Sequence, residues 1–109
     1  MRDVRLIVTT VDSAAAARTL ATGLVEDRLA ACVNVIPGVQ SVYRWQGTVE
    51  SAAEWLLLIK TTAARGEACL KALAERHPYD VPEGLVLATS GGLAAYLAWV
   101  GESVGGKGG

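Results

Sequence analysis

The sequence predicts one α+β domain, a four-stranded sheet carrying two helices on one face, with a short third helix at its C-terminal end. Three observations predict it. The 109 residues suit a single domain with its own core, since a chain of this length buries roughly two-thirds of its unfolded surface. Hydrophobic residues make up 51% of the chain and charged residues 19%, a balance too apolar for disorder. Strand-like and helix-like periodicities alternate in the order β-α-β-β-α-β-α.

Val4 to Thr10, rich in β-branched residues, reads as the first strand. Asp12 and Ser13 are natural N-caps for a helix from Ala14 to about Asp27; Ala17, Leu20, Ala21, Leu24 and Arg28 mark its successive turns. A second strand starts near Ala31 and runs through Ile36; Pro37-Gly38 breaks or bulges it, and it resumes as Val39 to Trp45. Gln46-Gly47 turns a long hairpin, whose return strand ends in Trp55-Leu56-Leu57-Leu58-Ile59. Thr62 caps a helix from Ala63 to Arg76, with Ala68, Cys69, Ala72 and Leu73 inward, and His77-Pro78 stops it. The extended segment Tyr79 to Glu83 leads to a strand, Leu85 to Thr89, and a last helix from about Gly92 to Val100. The domain spans residues 1–101, and residues 102–109 read as a flexible Gly-rich tail. This order is the split βαβ, or ferredoxin-like, plait.

Ten Lys plus Arg against eleven Asp plus Glu leave a net charge of -1, so the chain carries no global basic field for nucleic acid or anionic lipid. Gly84 to Gly101 is uncharged and long enough to suggest a membrane span, but Thr89-Ser90-Gly91-Gly92 splits it into two pieces too short to cross. The apolar run Val4 to Val8 is too short for a signal-peptide core, so a cytosolic location is expected. Cys32 and Cys69 stand far apart in apolar segments, with no Cys-x-x-Cys or Cys/His cluster, and read as a buried, reduced pair.

The apolar excess is itself informative. Strands covered on one face alternate, yet Leu6-Ile7-Val8 and Trp55 to Ile59 do not, and the last helix is apolar all round. The sheet face that the two main helices leave open is therefore expected to be an interface between copies of the chain.

The densest polar segment is His77-Pro78-Tyr79-Asp80-Val81-Pro82-Glu83, which holds the only histidine. Two prolines fix an extended path, and imidazole with carboxylate suits a borderline metal such as copper or zinc, or a polar ligand. A histidine before proline also serves as a helix-end residue making one hydrogen bond. Trp45, Trp55 and Trp99 supply most of the large ring area in a chain without Phe, and core or subunit packing comes ahead of ligand contact as the reading of each. Glu50, Glu54, Glu67 and Glu75 read most simply as solvated or ion-paired.

Taken in order, Leu29-Ala30-Ala31-Cys32-Val33-Asn34, Ile36-Pro37-Gly38, Tyr43-Arg44-Trp45-Gln46-Gly47, Glu54 with Lys60-Thr61, the His77 to Glu83 segment, and Tyr96-Leu97-Ala98-Trp99 resemble the signatures of the CutA divalent-cation tolerance proteins. The resemblance runs from about Val4 to Val100. It implies a cytosolic ferredoxin-like domain forming a homotrimer, similar in architecture to the PII nitrogen-signalling proteins. It also implies clefts between subunits that draw on Trp45, Glu54, Lys60, His77, Tyr79 and Glu83. Within that set, His77 and Glu83 are the candidate ligands for a divalent metal such as copper, and Trp45, Glu54, Lys60 and Tyr79 the other candidate cleft residues. Thr9 and Arg76 stand where some relatives carry a cysteine and a second histidine, and Asp80 and Gly84 also depart from the commoner pattern. The alternative is a PII-like signalling or scaffold trimer whose cleft holds a small anion or metabolite, with Lys60, Tyr79 and Trp45 recognising it. An enzyme is not expected: Cys32 in an apolar strand makes an inert thiol, and Ser90-Gly91-Gly92 lacks the Gly-Lys-Ser/Thr pattern of a phosphate loop.

Overall fold

The structure, a computed structural model, describes residues 3–105. Its elements are β1 (Val4–Val11), α1 (Ala14–Glu26), β2 (Cys32–Trp45), β3 (Thr48–Thr62), α2 (Ala63–Arg76), β4 (Leu85–Ala88) and α3 (Ala94–Ser103). The strands form one antiparallel sheet in the order β2-β3-β1-β4. This is the expected plait.

The ladder defines two faces. Ile7 pairs with Ile59, Thr9 with Leu57 and Val11 with Trp55; Thr9 is a buried polar residue, and the other five pack with Ala17, Leu20 and Leu24 of α1 and Cys69, Ala72 and Leu73 of α2 in the main core. On α2, Gly66 is buried where Ala68 was expected, and Ala68 is exposed. Residues of the opposite parity, among them Leu6, Val8, Leu56 and Leu58, lie on the open face and are half-buried. The apolar runs that read as covered on both faces are thus fully covered on one. α3 covers only one end of the open face: Val100 and Val104 pack there with Val4 and Ala31, while Leu93, Tyr96 and Trp99 remain exposed. Leu85 and Leu87 of β4 are exposed on the same face.

Local chemistry accounts for the boundaries. Ser13, not Asp12, caps α1, its hydroxyl accepting from the Ala16 N–H at 3.0 Å. Arg28 falls outside α1, with φ 58, in a turn where the N–H groups of Leu29 and Ala30 both reach the Leu24 carbonyl. The Thr62 hydroxyl accepts from the Arg65 N–H at 3.3 Å and caps α2. Pro37-Gly38 bulges β2 instead of breaking it, one extra residue entering between Ile36, opposite Leu56, and Val39, opposite Glu54. Gln46 and Gly47, with φ 50 and 83, make the two-residue turn whose twist suits a hairpin. The hairpin beyond the bulge projects from the sheet, giving a molecule of 46 × 25 × 21 Å.

Two boundaries differ from expectation at the C-terminal end. α3 starts at Ala94, past the Ser90-Gly91-Gly92 signal, and runs through Ser103. Glu102 and Ser103, expected in the tail, are therefore its last turn, and Val104 is buried. The Gly105 N–H donates to the Arg28 carbonyl at 2.9 Å. The rest of the expected tail, 106–109, lies outside the described residues. No described helix is long and apolar enough to cross a membrane.

Candidate functional site

Past the end of β1, the projecting hairpin and the segment after α2 enclose a groove of about 730 Å³. The bulge decides what the hairpin presents to it. Before the bulge, the open face takes the even positions of β2, Cys32, Asn34 and Ile36, opposite Lys60, Leu58 and Leu56. After it, the same face takes odd positions: Ser41 opposite Ala52, Tyr43 opposite Glu50 and Trp45 opposite Thr48. Tyr43, Trp45 and Glu54 thereby share the groove with Thr10, Asp12, Tyr79, Asp80 and Glu83.

His77 anchors the facing wall. It ends α2, its N–H reaching the Leu73 carbonyl at 2.9 Å, and its backbone is extended, with ψ 139, as a residue before proline prefers. Its ring is buried at 8% exposure. Nδ1 accepts from the Tyr79 N–H at 3.1 Å. A backbone N–H can only donate, so the ring proton sits on Nε2, 2.9 Å from the Thr10 carbonyl and 3.1 Å from the Thr9 hydroxyl. The Tyr79 ring packs beside it, with centroids 4.7 Å apart. Tyr79 then donates its hydroxyl to Glu54 Oε2 at 2.5 Å, holding a carboxylate that is only 7% exposed. Burial, and then the hydrogen bond to the Glu54 carboxylate, push the Tyr79 hydroxyl well above the ordinary phenol range.

The structure thus brings Trp45, Glu54, Tyr79 and Glu83 together, and it alters four sequence readings, those of His77, Lys60, Cys32 and Glu54. His77 stands behind the groove wall with both nitrogens engaged, so it positions Tyr79 instead of offering a lone pair. Lys60 shares its face of β3 with Glu54 but lies six residues along, roughly 20 Å in a strand. There its ammonium meets the Asn34 side-chain oxygen and, at 3.9 Å, Cys32 Sγ. Cys32 is consequently half-exposed beside a cation, not buried. Cys69 is buried, and burial raises its thiol to about 11. Glu54, read as solvated or ion-paired, is buried and hydrogen-bonded. Arg76 pairs with Asp27 at 2.7 Å on the surface. Asp12, Tyr43 and Asp80 join the site without having been named as site residues; Tyr43 carried a signal in its spacing of two from Trp45 on a hairpin strand, and Asp80 in its place within the His77 to Glu83 segment. Among the described residues, no three His, Cys, Asp or Glu side chains are grouped closely enough to hold a metal ion.

Residues 5–103 match the model of a family described as CutA1 divalent ion tolerance protein. The chain belongs to the CutA1 divalent ion tolerance family. The divalent-cation tolerance protein CutA of Thermus thermophilus is 46% identical over 100 residues, 92% of this chain and 97% of that protein. The chloroplastic protein CutA of Arabidopsis thaliana is 42% identical over 90% of this chain, which spans 54% of its length. The crystal structure of CutA from Xylella fastidiosa superposes with a TM-score of 0.92 at 42% identity, covering 94% of this chain and 99% of that one. The CutA1 fold therefore extends through α3.

Proposed function

We propose that this CutA1 family member is a divalent-cation-binding tolerance protein that works in the cytosol as a homotrimer, with the groove completed between subunits. One observation carries the reading. The groove presents the carboxylates of Asp12, Glu54, Asp80 and Glu83 and no Lys, Arg or His side chain, an electrostatic field that attracts cations. The names of the relatives point the same way. Among the described residues no three His, Cys, Asp or Glu side chains converge, so a cation held here draws ligands from more than one subunit. Asp80 and Glu83, both exposed, supply oxygen donors without disturbing the fold. His77 joins them only by giving up the Tyr79 N–H or the Thr10 carbonyl.

Copper is the finer form of the proposal, since Cu(II) accepts oxygen and imidazole together. The trimer is supported by the exposed leucines of β4 and the uncovered end of the sheet. The cytosolic location is supported by two cysteines that form no disulfide. Binding of this kind needs no catalytic step, and His77 is not available as a base for either thiol.

The test is calorimetric titration of the purified protein with Cu(II) and Zn(II). Saturable binding that weakens at least about tenfold in Glu83→Gln supports the groove. Curves unchanged by Glu83→Gln and Asp80→Asn together move the cation elsewhere and overturn the reading.

A further inference from the structure

The groove carries more than charge. Its walls include the rings of Tyr43, Trp45 and Tyr79 alongside its carboxylates. A bare metal ion uses no aromatic surface and occupies a small part of about 730 Å³, a volume within the range of small-molecule sites. Aromatic faces beside carboxylates are the surroundings that desolvated ammonium groups prefer. Within one chain the groove offers an anion or an acidic metabolite no counter-charge, because that chain's own Lys60 stands at the other end of the sheet. Glu54 keeps acceptor capacity too: Tyr79 occupies Oε2, and a carboxylate binds through either oxygen.

We infer that the groove recognises an organic cation, a small flexible amine of the polyamine class, with one ammonium against the Tyr43 and Trp45 rings and another against a carboxylate of the groove wall. The inference rests on the reading of the groove as the cation site and names a second class of ligand for it. Tyr79 shapes the site in two ways, as part of its wall and as the donor that fixes Glu54. Spacing contributes selectivity: a diamine bridges rings and carboxylates, and a divalent metal uses the carboxylates alone.

The experiment is calorimetry on the intact protein at physiological salt, with spermidine and putrescine as probes, 1,4-butanediol as the uncharged analogue, and Zn(II) and Cu(II) in separate arms. Trp45→Ala, at the exposed hairpin tip, and Glu83→Gln, on an exposed segment, leave the core untouched. Saturable amine binding, absent for the diol and weakened about tenfold by Trp45→Ala, supports the inference. Amine heats equal in the wild type and both variants, or no amine binding at all, overturn it. Metal binding without amine binding overturns this inference and leaves the divalent-cation reading standing; amine binding without metal binding does the reverse; silence in every arm overturns both.

Discussion

At the scale of single residues, His77, Tyr79 and Glu54 form a relay of hydrogen bonds from the core to the groove. Each link satisfies a group that burial would otherwise leave costly, at about 1–3 kcal/mol apiece. His77→Ala leaves the Thr10 carbonyl and the Tyr79 N–H without the ring, so a loss of about 2 kcal/mol or more is expected in urea unfolding. Nitrogen NMR checks the tautomer directly: the expected signature has the proton on Nε2, and a proton on Nδ1 contradicts the Tyr79 contact. Tyr79→Phe removes the donor to Glu54 and is expected to cost about 1–3 kcal/mol at neutral pH. It also changes the alkaline limb of stability. The Tyr79 hydroxyl lies above its ordinary value of 10.0 in the folded protein, so the native state holds this proton more tightly than the unfolded chain does. That contribution is complete below about pH 10 and is lost as pH rises toward the folded-state value. Urea unfolding from pH 9 upward is therefore expected to fall less steeply for Tyr79→Phe, and phenolate absorbance to lose its latest-titrating component. Parallel curves for the two proteins contradict the assignment.

At the scale of elements, the bulge links sequence to site. Pro37-Gly38 announced an irregularity, and Gly38 supplies φ 79, a backbone state that glycine adopts without strain. What the dipeptide does not announce is whether a strand stops there or continues with its parity reversed, because both outcomes suit proline and glycine. The parity reversal decides which residues meet. Without it, Gln40 and Arg44 would face the carboxylates and Tyr43 and Trp45 would turn away, whereas Val42 borders the groove as it stands. Deleting Gly38 removes the extra residue while leaving the two-residue turn intact. That variant is expected to keep its sheet content by circular dichroism and lose groove binding, with Arg44 now placed against the acids. Retained binding would show that the hairpin residues do not form the groove. The helices were more legible: Ser13 and Thr62 cap where polar residues precede apolar periodicity, and Ser13→Ala is expected to cost about 1 kcal/mol. The start of α3 was misplaced because Gly91-Gly92 resembles a helix start, yet Leu93 occupies the cap position with no side-chain bond.

At the scale of the whole molecule, the sequence showed how the elements are arranged better than it showed what covers them. The unbroken apolar runs Leu6-Ile7-Val8 and Trp55 to Ile59 hid which side of β1 and β3 meets the helices, because the open face is apolar as well and erases the period of two. Alternation could not place Lys60 either: parity puts that residue on the face of Glu54, and only the length of β3 separates them. The open face is where the chain looks unfinished. Leu85 and Leu87 are exposed at 59% and 44%, and Leu93 at 81%, so their apolar area returns stability only when another surface meets them. In the proposed trimer a second and third copy would satisfy this without any new sequence, and they would bring further carboxylates to a groove in which no three His, Cys, Asp or Glu side chains of the described residues converge. Leu87→Glu tests the point. In an isolated chain the new carboxylate projects from an exposed strand and costs little. In the assembly it is desolvated without a partner, a penalty of several kcal/mol per ion. The wild type is expected to run at three times 11.4 kDa in light scattering, and Leu87→Glu at the single-chain mass with weakened metal binding. Ala15→Glu, on the exposed side of α1, is expected to change neither. A wild type that stays at 11.4 kDa across micromolar to millimolar concentration contradicts the covering-copy reading, and the groove must then work with the carboxylates of one chain.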